Sequence, residues 1–123
     1  MITLEQYLMG RDKEFPLDML QARNAAILLS RVNYVLGKLD LKVAVSSGYR
    51  PAALNKTIGG AKMSTHTLCA GVDLHDPYKH LADKFRDHIE LLAEVGLWME
   101  HPDYSPGWIH LDIKQRKNRI FIP

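Results

Sequence analysis

The segment GWIHLDI, residues 107–113, constrains the fold of this chain more than any other stretch. Successive side chains of a strand point to opposite faces of a sheet. One face of this segment is apolar and is formed by Ile109, Leu111 and Ile113. The opposite face is polar and aromatic and is formed by Trp108, His110 and Asp112. The alternation therefore predicts a strand with one face in the core and the other in a polar environment.

Helical periodicity marks two other parts of the chain. Apolar residues recur at three- and four-residue spacing from about Leu20 to Leu39, which predicts an amphipathic helix. A second helix is expected from about Lys79 to Val95, with Gly96 at its C-terminal end. Between them, residues 41–47 (LKVAVSS) predict a short strand, and residues 51–63 (PAALNKTIGGAKM) predict a helical turn or two followed by a Gly-Gly loop.

A hairpin is expected near the end of the chain. The strand-like LWME, residues 97–100, is separated from GWIHLDI by the turn-rich HPDYSP. Helices and strands thus alternate in an order that favours an α+β domain, with a small antiparallel sheet backed by helices. With 123 residues, of which 46% are hydrophobic, the chain suffices for one compact core, so residues 1–123 are expected to form a single domain.

The charge balance, the cysteine content and the lack of long apolar runs limit the kinds of partner and of site that this chain is expected to have. Sixteen Lys and Arg face fourteen Asp and Glu, a balance that argues against nucleic acid as a partner. The basic run KQRKNR, residues 114–119, is interpreted as a solvated tail or turn, with attraction to an anionic polymer as the alternative. Cys69 is the only cysteine, which excludes a disulfide within the chain and a zinc ribbon. With no signal-peptide pattern and no membrane-spanning run, we expect a protein made in the cytoplasm, without a membrane partner. We also expect the protein to be a monomer.

A second cluster of polar residues lies in KMSTHTLCAGVDLHD, residues 62–76. His66 and Asp73 are seven positions apart, so they can converge only if one lies on a loop and the other on a strand. The loop-like GGAKMSTH and the strand-like GVDL fit that arrangement. Two histidines and a carboxylate form a common ligand set for catalytic zinc, and His110 supplies the second histidine. Cys69 could also ligate zinc, but a buried thiol is the favoured interpretation.

Three motifs, in this order, resemble the zinc peptidases of the M15 type. They are SGYRP at 47–51, STHTLCAGVDL at 64–74 and GWIHLDI at 107–113, which together span about half of the chain. That group includes D-Ala-D-Ala carboxypeptidases, D-alanyl-D-alanine dipeptidases, phage endolysins that cut L-alanyl-D-glutamate bonds, and the related zinc-binding hedgehog signalling domain. The resemblance implies the hedgehog/DD-peptidase fold and Zn²⁺ as the cofactor.

Carried over residue by residue, the resemblance implies that His66, Asp73 and His110 bind zinc. It also implies that Arg50 faces the substrate and that Ser64 lies near the metal, as the first position of the family's Ser-x-His pattern. The planar guanidinium of Arg50 suits bidentate binding of a substrate carboxylate, or polarisation of the carbonyl that becomes an oxyanion.

Several positions depart from the family pattern or leave a role open. The family usually reads Ser-x-His-x-x-Gly-x-Ala-x-Asp, whereas this chain has Cys69 at the Gly position and Gly71 at the Ala position. Many relatives carry an acid three residues before the last histidine, and here that residue is Gly107. Trp108, on the same face as His110, is interpreted either as a wall of the substrate cleft or as cover for the sheet edge.

The catalytic base must therefore come from another position. Glu100 ends the strand LWME, and in the hedgehog-like arrangement a glutamate at the end of that strand points at the metal. We favour Glu100 as the base, with Asp103 in the intervening loop as the alternative. His101 or Tyr104 could supply a hydrogen bond in the transition state, with surface positions as their default interpretation.

The function that these residues imply is a zinc-dependent peptidase acting on bacterial peptidoglycan stem peptides. D-Ala-D-Ala carboxypeptidase and endopeptidase activities both remain open, as do a phage-released lysin, a virion component and a cytoplasmic enzyme. The alternative is a catalytically inactive, zinc-stabilised binding module for cell-wall peptides. Gly107 favours that alternative, while Arg50 and the nearby acid favour the enzyme.

Overall fold

The described residues of the chain form five short strands and five α-helices. The computed structural model describes residues 1–60 and 64–123; positions 61–63, at the end of the predicted Gly-Gly loop, lie outside the described residues. The strands are β1 (Val45–Ser47), β2 (Gly71–His75), β3 (Trp98–Glu100), β4 (Trp108–Asp112) and β5 (Ile120–Phe121). The helices are α1 (Leu4–Leu8), α2 (Met19–Leu39), α3 (Ala52–Thr57), α4 (His80–Asp87) and α5 (Ile89–Val95). The α+β prediction is confirmed.

The strands form one sheet in the order β1-β2-β4-β3-β5. Neighbouring strands are antiparallel except for β3 and β5, which are parallel. The predicted hairpin is β3 and β4, joined by a loop that contains a short 3₁₀ turn, Pro102–Tyr104. In the pairing of β2 with β4, Asp73 lies directly opposite His110. The two central strands therefore bring together residues 37 positions apart in the chain.

The two faces of the sheet differ as the alternation in GWIHLDI predicts. Ile109 and Leu111 are buried in the hydrophobic core, and their cross-strand partners Leu74 and Val72 are buried there with them. Residues of α2, α4 and α5 belong to the same core, so the helices cover this face. The opposite face carries the polar side chains of β2 and β4, and the candidate site lies there.

The long helix α2 follows its predicted bounds closely. Its N-terminus is closed by a capping box, in which Asp18 accepts a hydrogen bond from the backbone of Gln21 and the Gln21 side chain accepts one from the backbone of Asp18. Its apolar stripe is buried and consists of Ala25, Leu28, Leu29, Val32, Val35 and Leu36. The residue after its last turn, Asp40, takes a left-handed conformation with φ 51°.

Four features of the fold were not predicted. The helix expected over Lys79–Val95 is two helices, because His88 leaves helical torsion angles (φ −124°, ψ 40°) without a proline or glycine to signal the break. The strand expected over residues 41–47 is confined to β1. Helix α1 and strand β5 are too short for their periodicity to be recognised.

Within the described residues, no helix combines the length and apolar character that a membrane crossing requires.

Candidate metal centre

His66, Asp73 and His110 converge on the polar face of the sheet. Nδ1 of His110 lies 2.8 Å from Oδ1 of Asp73, and Nε2 of His66 lies 3.2 Å from the same oxygen. The three candidate ligand atoms lie within 4.8 Å of one another, and all three residues are buried. In the part of the chain that the structure describes, this is the group of His, Cys, Asp and Glu side chains with metal-site spacing.

The orientation of His66 is set by the backbone. His66 lies in the turn over residues 65–69, and its Nδ1 donates a hydrogen bond of 2.8 Å to the carbonyl oxygen of Gly48. With Nδ1 held by this hydrogen bond, Nε2 is the ring nitrogen that is directed at Asp73 and available to a metal ion. A side chain at Gly48 would place Cβ 1.9 Å from the carbonyl oxygen of Tyr7, so only glycine fits there. The Ser64 hydroxyl accepts a hydrogen bond from the amide of His66, at 3.2 Å, and holds the turn.

The orientation of His110 is set by a second carboxylate, Asp112. Nε2 of His110 lies 2.7 Å from Oδ2 of Asp112, which is fully buried. The other oxygen of Asp112 accepts hydrogen bonds from the Lys114 amide and from the Arg116 guanidinium. His110 therefore donates from Nε2 and presents Nδ1 to the site, an arrangement that fixes the tautomer of a metal-binding histidine. The alternation predicted that Asp112 shares this face, but sequence reasoning assigned it no role.

The electrostatics of the cluster suit a divalent cation. Burial alone would raise the pKa of the Asp73 carboxyl, but hydrogen bonds from His110 and His66 outweigh it and hold that pKa far below its usual value. Burial alone would lower the pKa of His110, but Asp112 and Asp73 each hold one ring nitrogen and raise it to about 9. The same negative surroundings that retain a proton on His110 would retain a metal ion in its place. Two imidazole nitrogens and one carboxylate oxygen fit zinc by their donor chemistry.

The departures from the family pattern have local explanations. Cys69 takes a left-handed conformation with φ 57°, which is the conformation that glycine adopts most easily. The Cys69 thiol is fully buried, burial raises its pKa to about 12, and it lies outside the ligand cluster. A Cβ on Gly71 would approach Thr65 Oγ1 to 2.3 Å and His110 Cε1 to 2.8 Å, so no alanine fits there in this chain. Gly107 has φ 90°, which favours glycine over an acid at that position.

The three ligands face a cavity of about 500 Å³. Arg50 lines it on the β1 side, with Nη2 3.8 Å from Oδ2 of Asp73. The guanidinium is held by the side chains of Asn55, at 3.0 Å, and Ser47, at 3.1 Å. Its Nε is buried and has no hydrogen-bond partner within residues 1–60 and 64–123. Ser64, which the family resemblance implies lies near the metal, also lines the cavity, as does Trp108, interpreted from the sequence either as a wall of the cleft or as cover for the sheet edge.

Glu100 lines the cavity from the end of β3. The β3–β4 register pairs Trp98 with Asp112 and Met99 with Leu111, and its continuation leads from Glu100 to His110. One carboxylate oxygen of Glu100 accepts a hydrogen bond of 2.8 Å from the hydroxyl of Ser105, a fully buried residue that sequence reasoning missed.

Hydrogen bonds from Lys79 hold the loop that carries Ser105 in place. Nζ of Lys79 donates to the carbonyl oxygens of Ser105, at 2.6 Å, and of Pro102, at 2.9 Å. Glu100 therefore has a defined orientation at the cavity wall.

The alternative base lies elsewhere. The Asp103 side chain is 84% exposed, pairs with His101 at 3.7 Å and is not among the described residues that line the cavity. Tyr104 is half-exposed and packs edge-on against the His101 ring, so these residues form a small group of their own on the surface. The structure thus brings Glu100, and not Asp103, to the candidate centre.

Comparison with protein families identifies the family of this chain. The protein-family model described as Peptidase M15 matches residues 8–112, a range that contains every candidate ligand together with Arg50 and Glu100. No curated protein matches the chain. The matched range ends at Asp112, the last residue of β4.

Proposed function

This chain belongs to the peptidase M15 family, and from that premise we propose that it is a zinc-dependent peptidase that hydrolyses amide bonds in bacterial peptidoglycan stem peptides. The observation that carries the proposal is the buried cluster of His66, Asp73 and His110 at the wall of a cavity that also contains a carboxylate and a guanidinium. In this proposal the protein acts as a monomer.

His66 Nε2, an oxygen of Asp73 and His110 Nδ1 would hold the zinc ion. When bound, zinc polarises the scissile carbonyl and makes water a stronger nucleophile near neutral pH. The protein's contribution is to keep both imidazoles in the tautomer that exposes the ligand nitrogen, through the Gly48 carbonyl for His66 and the Asp112 carboxylate for His110.

Glu100 acts as the general base and then as the general acid. Its carboxylate accepts the proton of the attacking water and later delivers that proton to the leaving amine. The hydrogen bond from Ser105 occupies one oxygen, Oε1, and leaves the other for proton transfer. General acid and base assistance of this kind is typically worth about 10²–10⁴-fold in rate.

Arg50 binds the substrate and stabilises developing charge. Its guanidinium is preorganised by Asn55 and Ser47 on the β1 side of Asp73. In that position it can pair with a substrate carboxylate or with the oxyanion formed during attack. Stem peptides, which carry free carboxylates, suit this group, and both a carboxypeptidase and an endopeptidase specificity are compatible with it.

A second candidate function is a zinc-stabilised binding module for cell-wall peptides. The observation that favours it is Gly107, which stands where many relatives carry an acid. Under this alternative the metal cluster and Arg50 would bind peptide without cleaving it.

Replacement of Glu100 tests the proposal. The zinc-loaded protein is incubated with muropeptides, and product masses are read with and without a chelator. Glu100→Gln is expected to keep stoichiometric zinc and an unchanged melting curve, while hydrolysis falls by at least about a hundredfold. Asp103→Asn is the matched control, because it makes the same chemical change on an exposed side chain outside the cavity.

Each outcome tests a different part of the proposal: the metal ligands, the catalytic base or the peptidase activity. If His66→Ala retains full zinc content, the ligand assignment is wrong. If Glu100→Gln stays active while Asp103→Asn is inactive, the ligands stand and the base assignment fails. A wild-type protein that binds zinc and muropeptides, yet releases no product from any of them, supports the binding module.

A further inference from the structure

The cavity has a second cationic wall that the mechanism does not use. We propose that Arg116, assisted by Lys114, forms an anion-binding subsite on the β5 side of the centre that takes a carboxylate of the peptide. This inference rests on the proposed function for the nature of the ligand. Arg116 lies beyond the residues matched to the family, which end at 112.

Arg50 and Arg116 lie on opposite sides of the candidate ligands. Arg50 follows β1 at one edge of the sheet, Asp73 and His110 lie on the two strands next to it, and Phe121 lies on β5 at the other edge. The Arg116 guanidinium carbon lies 3.5 Å above the centre of the Phe121 ring. A peptide that crosses the candidate ligands therefore meets Arg50 on one side and Arg116 on the other.

The guanidinium of Arg116 is preorganised and only partly used. Its Nη1 pairs with the buried carboxylate of Asp112, and the Phe121 ring covers one of its faces. Within the described residues, neither its Nε nor its Nη2 makes a hydrogen bond, although its side chain is only 20% exposed. A planar group with two donors left over matches a carboxylate, and its fixed position lowers the entropy that binding would otherwise cost.

Lys114 strengthens the same wall. It is exposed and lines the cavity, and no ion pair among the described residues involves it. A role limited to neutralising Asp112 would explain one nitrogen of Arg116, but it would not explain why the guanidinium and Lys114 both border the cavity. Stem peptides can satisfy both ends of the cleft because they carry more than one carboxylate.

Binding to matched peptides tests the subsite. Dissociation constants are measured by calorimetry with zinc-loaded Glu100→Gln protein, so that no peptide is consumed and the result does not depend on whether the wild type is an enzyme. One stem peptide carries free carboxylates, and the other is identical but amidated. Arg116→Gln is expected to weaken binding of the carboxylate peptide by about tenfold or more and to leave binding of the amidated peptide unchanged.

Three further variants control for folding and for net charge. Arg116→Lys keeps the charge beside Asp112 but loses the planar fork, so it is expected to retain zinc and still lose much of the carboxylate preference. Lys114→Gln is expected to give a smaller loss in the same direction. Lys117→Gln removes a charge from the same segment at a residue that is not among those lining the cavity, and should have no effect.

The proposal is overturned if the preference for the carboxylate peptide is undiminished in both Arg116 variants, or if Lys117→Gln reduces it as much as they do. An equal loss for both peptides would also overturn it, since Arg116 would then act only on the structure around Asp112. Zinc content and melting temperature, measured on each variant, identify that case directly.

Discussion

Replacing Asp112 by asparagine should weaken zinc binding while keeping the shape of the site. Asp112 is fully buried, with one oxygen 2.7 Å from Nε2 of His110 and the other bonded to the Lys114 amide and the Arg116 guanidinium. Every one of these partners is a donor when His110 binds metal through Nδ1. An aspartate accepts from all of them, whereas an asparagine accepts on one side only.

Either orientation of the asparagine leaves a mismatch. If its amino group faces His110, it donates to Nε2 and moves the ring proton to Nδ1, the nitrogen that should bind zinc. If its carbonyl faces His110, its amino group faces the Lys114 amide and the Arg116 guanidinium. All three groups are donors, so no hydrogen bond can form between them. Loss of such an outer partner typically costs about 10–100-fold in metal affinity, or about 1.4–2.7 kcal/mol.

The assay is a competition for zinc between the metal-free protein and a chromophoric chelator at fixed pH. Asp103→Asn is the control, because it removes the same charge from a side chain that is 84% exposed and remote from the cluster. A zinc affinity of Asp112→Asn indistinguishable from that of wild type and control would refute the claim that Asp112 selects the tautomer of His110. A melting temperature measured on the metal-free proteins shows whether the fold itself has been damaged.

The remaining predictions concern His110 and Ser105. The pKa of His110 lies at about 9 rather than 6.5, and zinc must displace the proton that this residue holds. Zinc affinity should therefore rise as the pH increases from 6.5 to about 9. A zinc affinity that does not change with pH in the same competition assay would contradict this prediction. In the metal-free protein, the raised pKa of His110 means that its proton stabilises the fold fully below pH 6.5. This stabilisation is lost as the pH rises through about 9. Calorimetric melting at several pH values should detect the loss. Ser105→Ala should lower kcat by about tenfold with little change in KM or zinc content, because it frees the Glu100 carboxylate from its donor. The same substitution in the Glu100→Gln background should cause no further loss of rate, and an additive loss would show that Ser105 acts by another route.

The face that holds the site could be predicted because its signal is local. Ile109 and Leu111 alternate with His110 and Asp112, and a strand translates that alternation directly into two faces. The spacing of Leu28, Val32 and Leu36 translates in the same way into the buried stripe of α2. Patterns of this kind depend only on the period of a helix or strand, so no knowledge of the tertiary fold is needed to interpret them.

The surroundings of Glu100 and Arg116 could not be predicted, because they depend on how loops and a short strand pack in the folded chain. Nothing in the spacing of Glu100 and Ser105 shows that a loop clamped by Lys79 returns the hydroxyl to the carboxylate. Strand β5, with only two residues, carries no periodicity, yet its Phe121 ring positions Arg116 beside the cavity. The basic run interpreted as a solvated tail or turn thus contributes a wall of the site.

Side-chain chemistry and backbone period are properties of short segments, so the amino-acid sequence is enough to specify which side chains could act as ligands and which face of each strand they occupy. The tertiary structure decided that Asp73 faces His110 across β2 and β4, and that the turn holding His66 approaches both. It also decided which nitrogen of His66 faces the site, because the Gly48 carbonyl, 18 positions earlier in the chain, reaches that ring only in the folded protein. A metal site requires several atoms within a few ångströms of one point, and only the packing of separate segments can specify that distance.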